Sequence, residues 1–186
     1  MRTLAHSHHL PSGFGGKALP LELVFGKHPT VLRCLRPDDV GRLLTFFGSH
    51  TPETIRSRYG YLFTRLSSDR AAHLVGVDQS IDAALGVFEA NEPGHLIAIG
   101  RYCLAEDRAS AELAFVVRED RRGLGIATAL LHALAAIARE RGLARLTAQI
   151  QSDNGPMISV FRHAGAVFAT IPGAGSLEAT LELRTR

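Results

Sequence analysis

A glycine-rich turn enters a long apolar helix at Arg122-Gly123-Leu124-Gly125-Ile126-Ala127-Thr128. Glycines let the backbone turn tightly and lie close to a ligand. The first turn of a helix carries unpaired N–H groups and the positive end of the helix dipole. Such a place suits a phosphate or diphosphate, and Arg121 and Arg122 add charge to it. Glycines also open helices for plain steric reasons, so the heptad alone admits both readings. The dinucleotide fingerprint needs a third glycine and an acidic residue about 20 positions later, and the P-loop needs GxxxxGK[ST]. The chain has neither, which disfavours dinucleotides and nucleoside triphosphates. A second feature is Glu112, a lone carboxylate in the apolar run Ser110–Val117. Period two puts Glu112, Ala114 and Val116 on one strand face and Leu113, Phe115 and Val117 on the other. Buried without a partner, Glu112 would be costly. It therefore lines a cleft, meets solvent, or pairs with an arginine such as Arg101.

These groups need a scaffold, and the hydrophobic periodicity outlines one. Residues 1–28 are expected to form a flexible N-terminal extension punctuated by Gly and Pro, with Leu19–Phe25 able to add a short edge strand. The domain is expected to span 29–186. Thr30–Arg36 predicts a strand, and Pro37 suits the first turn of a helix carrying Val40, Leu43, Leu44 and Phe47 to a stop at Gly48. Thr51-Pro52 starts a second helix and Ser68 a third. Ala83–Ala90, His95–Leu104 and Ser110–Val117 have hairpin spacing and predict an antiparallel meander. Ile126, Leu130, Leu134 and Ile137 then mark a helix ending near Gly142. A strand at Leu146–Gln151 follows, then a helix begun by Asp153 or Asn154 with Pro156 in its first turn. Two last strands, Val167–Ile171 and Leu177–Leu183, complete a mixed α/β sheet.

Composition narrows the function further. The 186 residues carry 21 Lys+Arg against 18 Asp+Glu, with 46% hydrophobic and 21% charged residues. These are ordinary values for one folded domain. A net charge of +3, with the arginines spread along the chain, does not suit wrapping a nucleic acid. Cys34 and Cys103 are too few for a disulfide framework and are expected to be buried thiols. No Cys/His spacing matches a zinc site, and His6, His8 and His9 fall in the expected extension, so no metal is expected. No run is apolar enough to span a bilayer, and no secretory signal is seen. The expectation is a cytoplasmic protein without a nucleic-acid or membrane partner, either monomer or homodimer.

Three segments in register carry a resemblance. Glu112–Val117, Arg122–Thr128 and Asn154–Gly165 together resemble the GNAT family of acetyl-CoA-dependent N-acyltransferases. Arg122, Gly125 and Ala127 follow that family's R/Q-x-x-G-x-G/A order. Asn154 matches the residue that begins its next helix, and Gly165 the glycine that ends it. The resemblance covers roughly residues 29–183. It implies a mixed, mostly antiparallel central sheet with flanking helices, and a cleft where the fourth and fifth strands splay apart. Within the family, Leu35-Arg36-Pro37-Asp38-Asp39, Thr51–Tyr59 and Ala111–Val117 look most like the acetyltransferase domain of bacterial protein-lysine acetyltransferases.

What the resemblance implies for the site follows residue by residue. Arg121, Arg122, Gly123, Leu124, Gly125, Ile126, Ala127 and Thr128 would cradle the diphosphate of acetyl-CoA, the co-substrate. The edge of Phe115, Val116 and Val117 would pair with the pantetheine arm as an added strand. Asn154 would hydrogen-bond that arm, beside a plain helix-capping role, and Phe161 would wall its tunnel. Glu112 would be the general base that takes the proton of a primary amine. A backbone N–H near Phe115 or Val116 would hold the oxyanion. The acceptor would be a protein lysine or a small molecule. Two departures stand out. Phe161 occupies the place where many members have a tyrosine acid, and Ala166 stands where a phenylalanine is usual. The missing tyrosine leaves open a regulatory module that binds acetyl-CoA with little turnover. An aminoglycoside-type acceptor would want clustered carboxylates, and only Glu89 and Glu92, near a turn, approach that.

Overall fold

A computed structural model describes residues 12–13, 17–59, 66–92 and 94–183. Their elements run β1 (Ser12–Gly13), β2 (Lys17–Ala18), β3 (Leu21–Phe25), β4 (His28–Cys34), α1 (Val40–Gly48), α2 (Pro52–Tyr59), α3 (Ser68–Val75), β5 (Ala83–Glu89), β6 (Leu96–Leu104), β7 (Ser110–Val117), α4 (Ile126–Glu140), β8 (Arg145–Gln151), α5 (Gly155–His163), β9 (Val167–Ile171) and β10 (Ser176–Glu182). Eight strands form one sheet in the order β3-β4-β5-β6-β7-β8-β10-β9. Every neighbouring pair in it is antiparallel except β7 and β8. The mixed α/β architecture expected from the sequence is present.

The helices divide between the two faces. α4 and α5 cover one face, where Leu113 and Phe115 meet Ile126, Leu130, Leu134 and Phe161. α1 and α3 cover part of the other, where Leu43, Phe46 and Val75 pack on Ala84, Ile99 and Val116. Period two along β7 decides this division, because alternate side chains go to different layers. α4 lies close to β6 because Gly100 has no side chain there. A Cβ at that position would stand 3.0–3.2 Å from Phe115, Leu134 and Leu130.

Leu19–Phe25, which the sequence offers as a short edge strand, takes that place: β3 pairs with β4 at the sheet's edge, and Leu19, Leu21 and Phe25 are buried in the core, so the sheet begins ahead of the expected boundary at residues 28 and 29. Enough apolar side chains fall on one face of this short strand to offset its ordering. β4 ends at Cys34, short of the expected Arg36, because Pro37 starts a 3₁₀ turn, Pro37–Asp39, ahead of α1. Cys34 and Cys103 are half-buried rather than buried. Asp39, 0% exposed, locks that turn to the sheet. It accepts from Arg33 at 2.7 and 2.8 Å, from Arg42 at 2.9 Å and from the Arg36 N–H at 2.9 Å. Burial alone would raise its pKa, but these donors overcome that and leave the carboxyl below the ordinary range. His6, His8 and His9 lie outside the described residues. No helix of the described residues is long and apolar enough to cross a membrane.

Candidate active site

The site is built where two parallel strands part. β7 and β8 pair only through Ser110–Glu112 against Arg145–Thr147. Beyond Glu112, β7 continues to Val117 while β8 pairs on its far side with β10. A gap opens between them. Backbone groups along a strand point alternately to its two neighbours. Ser110 C=O and Arg118 N–H bond towards β6, whereas Ala109 C=O accepts from Ala144 on the β8 side. Odd-numbered residues of β7 therefore present their backbone to the gap. Phe115 and Val117 offer free edge groups there. Val116 does not, since the even-numbered residues of β7 turn their N–H and C=O towards β6. An oxyanion donor on this edge is therefore the Phe115 N–H and not that of Val116.

The glycine turn lies just past the open end of β7. A 3₁₀ turn, Glu119–Arg121, leads to Arg122, then Gly123 at φ +76° and Gly125 at φ +84°. Gly125 is the N-cap of α4 in a left-handed conformation that costs other residues about 1–2 kcal/mol. It has no side chain to cap the helix. Among the described residues, the N–H groups of Gly123, Leu124, Gly125, Ile126, Ala127 and Thr128 have no hydrogen-bond acceptor, and the first bond of the helix is Ala129 N–H to Gly125 C=O at 3.0 Å. Ile126 is 1% exposed and anchors this turn in the core, while Gly123 and Gly125 face solvent. The arrangement is a row of bare amides at a positive helix end, matched to an anion.

The two arginines have different roles. Arg121 donates to Glu89 at 2.7 and 3.2 Å and to Asp120 at 2.7 Å, which ties the turn to the end of β5. Its charge is thereby met within the protein rather than held for a ligand. Burial pushes the Glu89 carboxyl up, but Arg121 outweighs it and holds the pKa below its usual value. Glu92 meets His95 at 2.5 Å, so neither acidic side chain builds an acidic cleft. Arg122 is more exposed and donates to Thr54 Oγ1 at 2.8 Å. Next to it, Glu119 Oε1 accepts from Thr54 Oγ1 at 2.6 Å, from Thr51 Oγ1 at 2.8 Å and from the Thr51 N–H at 3.0 Å. These donors, Thr54 foremost, hold the Glu119 pKa down to about 2. Glu119 thus clamps the start of α2 against the amide row. Sequence reasoning missed this clamp, because its halves lie 65 and 68 residues apart.

Glu112 opens onto a cavity of about 310 Å³ on the α1/α3 face of the sheet. Leu35, Leu43, Leu74, Ile99 and Val116 form apolar walls, and Arg101, Cys103 and the β7 segment Ala114–Val116 complete it. Glu112 is exposed and, among the described residues, has no ion-pair or hydrogen-bond partner. The alternative salt bridge to Arg101 does not form; Arg101 Nη2 instead donates to Cys103 Sγ at 3.1 Å. A carboxylate is thus placed in an apolar cavity walled by the same strand whose other edge lines the gap. That is a geometry for removing a proton from a group brought to Phe115.

Asn154 caps α5, its Oδ1 accepting from the Met157 N–H at 3.2 Å. The cap leaves its Nδ2 without a partner among the described residues, so capping and ligand contact are compatible. Phe161 corrects an expectation. It is 0% exposed, with its ring centroid 5.9 Å from that of Phe115, so it supports the strand edge from behind and has no surface to offer a ligand. Tyr102 does not replace the missing tyrosine, being fully buried and held by Arg141. Tyr61 and the side chain of Tyr59 lie outside the described residues.

Comparison with known proteins bears on the family and the fold. Residues 51–166 match a family model described as the acetyltransferase (GNAT) family. The crystal structure of the GNAT domain of S. lividans PAT superposes with a TM-score of 0.80 at 28% identity, covering 88% of this chain and 97% of that one. A cAMP-binding acyltransferase from Mycobacterium smegmatis aligns at 24% identity and TM-score 0.61, over 89% of this chain but only 48% of its own length. The structure of yncA from Salmonella typhimurium, with its cofactor acetyl-CoA, gives 17% identity and a TM-score of 0.67, covering 84% and 95%. The last two likenesses speak for the fold alone.

Proposed function

The chain belongs to the GNAT acetyltransferase family, and on that premise we propose that it transfers the acetyl group of acetyl-CoA directly to a primary amine. The observation that carries this reading is the amide row at Gly123–Thr128, bare among the described residues, beside a strand whose Glu112 carboxylate has no partner among them. The amides of that row take the diphosphate, assisted by Arg122. The pantetheine amides run along the Phe115 and Val117 edge as an added strand, with Asn154 across the gap. Bound so, the thioester lies near the Phe115 N–H, which stabilises the oxyanion as it forms.

The chemistry balances with Glu112 as base. An amine arrives as an ammonium, since its pKa is near ~10.4. Glu112 accepts one proton, and the freed lone pair attacks the thioester carbon. The C–N bond forms and the C–S bond breaks. Of the two protons the nitrogen loses in all, one ends on the coenzyme A thiolate and one passes to solvent. No side chain at Phe161 donates a proton, so the thiolate, a good leaving group with a conjugate pKa near ~8.5, departs unassisted or takes its proton from water.

The acceptor is a protein lysine or a small amine. The resemblance of Leu35–Asp39 and Thr51–Tyr59 to bacterial protein-lysine acetyltransferases supports the first. The small size of the Glu112 cavity, at the low end of the roughly 300–1,000 Å³ typical of small-molecule sites, favours the second. Phe161 in place of a tyrosine is what supports a third reading, a regulatory module with weak turnover. Calorimetry with acetyl-CoA, followed by thiol release in the presence of lysine peptides and small amines, tests all three. Tight binding with amine-dependent thiol release is expected. Binding without release for any amine would leave the regulatory module, and no binding would end the proposal.

A further inference from the structure

Arg101 stands apart from the other shielded arginines. Arg33 is paired with Asp39, Arg121 with Glu89, and Arg118 with Asp120. Arg141 is held by Tyr102 and by backbone carbonyls of Gln79, Ile81 and Asp82. Arg101 is half-buried, yet its one polar contact among the described residues is the Cys103 sulfur. A thiol is a weak acceptor and does not neutralise a guanidinium.

The register explains where this charge points. Arg101 lies opposite Ala114, and Cys103 lies opposite Glu112. Arg101 and Glu112 are thus diagonal neighbours on one face, about 7–8 Å apart along the sheet, with their Cβ atoms somewhat closer. Both line the same cavity, and among the described residues no other charged side chain does. They are close enough for long side chains to meet, but they form no ion pair. A cation and an anion held apart across an apolar cavity match a ligand that carries both charges at short separation.

We propose that the acceptor is a zwitterionic small molecule of the amino-acid class, with its carboxylate on Arg101, its ammonium on Glu112 and an apolar side chain against Leu35, Leu43 and Leu74. The planar guanidinium suits a carboxylate through two parallel N–H donors. The same contact orients the ammonium towards the base. This inference rests on the acetyl-transfer reading and names its substrate class.

The test compares L-leucine, L-leucine methyl ester, 3-methylbutylamine and a peptide with a blocked N-terminus and a free lysine side chain as acceptors, by thiol release from acetyl-CoA. The expected result is a kcat/KM for leucine about 10–100-fold above the ester and the plain amine, the worth of one charge-assisted contact. Arg101→Gln is expected to collapse that ratio mainly by raising KM for leucine, and Arg101→Lys to restore it in part. Equal or faster turnover of the ester, the plain amine or the lysine peptide overturns the proposal, as does an unchanged ratio in Arg101→Gln. The comparison among acceptors stands on the unmodified protein even where a variant fails to fold. Should acetyl-CoA bind while no amine releases thiol, the transfer reading fails by itself. Calorimetry of leucine on the acetyl-CoA complex then decides the carboxylate site. Binding lost in Arg101→Gln upholds it, and no binding of leucine overturns it.

Discussion

Gly125→Ala separates the backbone role of the glycine turn from its ligand role. Gly125 sits at φ +84°, and an added Cβ would meet nothing within 4 Å. The cost to folding is therefore conformational only, about 1–2 kcal/mol. For a domain of this size that lowers Tm by about 2–8 °C. The same methyl group would stand among the bare amides where a diphosphate must lie. One lost charge-assisted N–H contact weakens acetyl-CoA by about tenfold or more. Gly142→Ala is the control. It has φ +75°, equally open surroundings and a place at the far end of the same helix. That 15-residue helix, with its caps, puts the two sites about 25 Å apart. Thermal melts and calorimetry with acetyl-CoA should show similar Tm losses for both variants and weakened binding for Gly125→Ala alone. Equal acetyl-CoA affinity in the two variants would refute the assignment of this turn as the diphosphate site.

Glu112→Gln should lower kcat by about 10²–10⁴-fold while acetyl-CoA affinity stays within about twofold; a full rate at every pH would remove Glu112 as base. Glu119 has a folded-state pKa of about 2, below its unfolded value, so it stabilises the fold above pH about 4.5 and loses that contribution as pH falls towards about 2. The stability gap between the protein and Glu119→Gln, followed by denaturant melts, should be flat near neutrality and close over that acid window. A gap that does not change with pH would show that the clamp does not depend on the charge. Asp39→Asn removes the counter-charge of Arg33 and Arg42 at a fully buried position, and should cost on the order of 3 kcal/mol in urea unfolding. A loss under about 1 kcal/mol would mean that water already serves those arginines.

Much of this site could be read from local pattern. Gly123-x-Gly125 before the Ile126, Leu130, Leu134, Ile137 stripe marks a helix start whose amides lack partners, and it does so within a dozen residues. Glu112 stood out because a carboxylate inside Ala, Leu, Phe and Val demands a reason. Asp153 or Asn154, with Pro156 behind it, marks the start of α5 by capping chemistry, and the structure selects Asn154. The readings that changed depended on contacts distant in sequence. The sequence offers Arg121 to a phosphate, but Glu89, 32 residues away, takes its charge. It offers Phe161 as a tunnel wall, but packing on Phe115 hides its surface. Val116 and Phe115 were interchangeable as oxyanion donors until the pairing with β6 settled which N–H groups were spent.

The amino-acid order alone set the type and order of most elements, the glycine-rich helix start and the identity of the lone carboxylate, because each depends on steric and hydrogen-bonding needs within a few neighbouring residues. Tertiary structure alone decided that β3 joins the sheet, that Glu119 reaches α2, and that Arg101 and Glu112 share a cavity without pairing. Strand register is the physical reason. A one-residue slip turns every side chain to the opposite face, and only the packing of both layers at once selects among the registers.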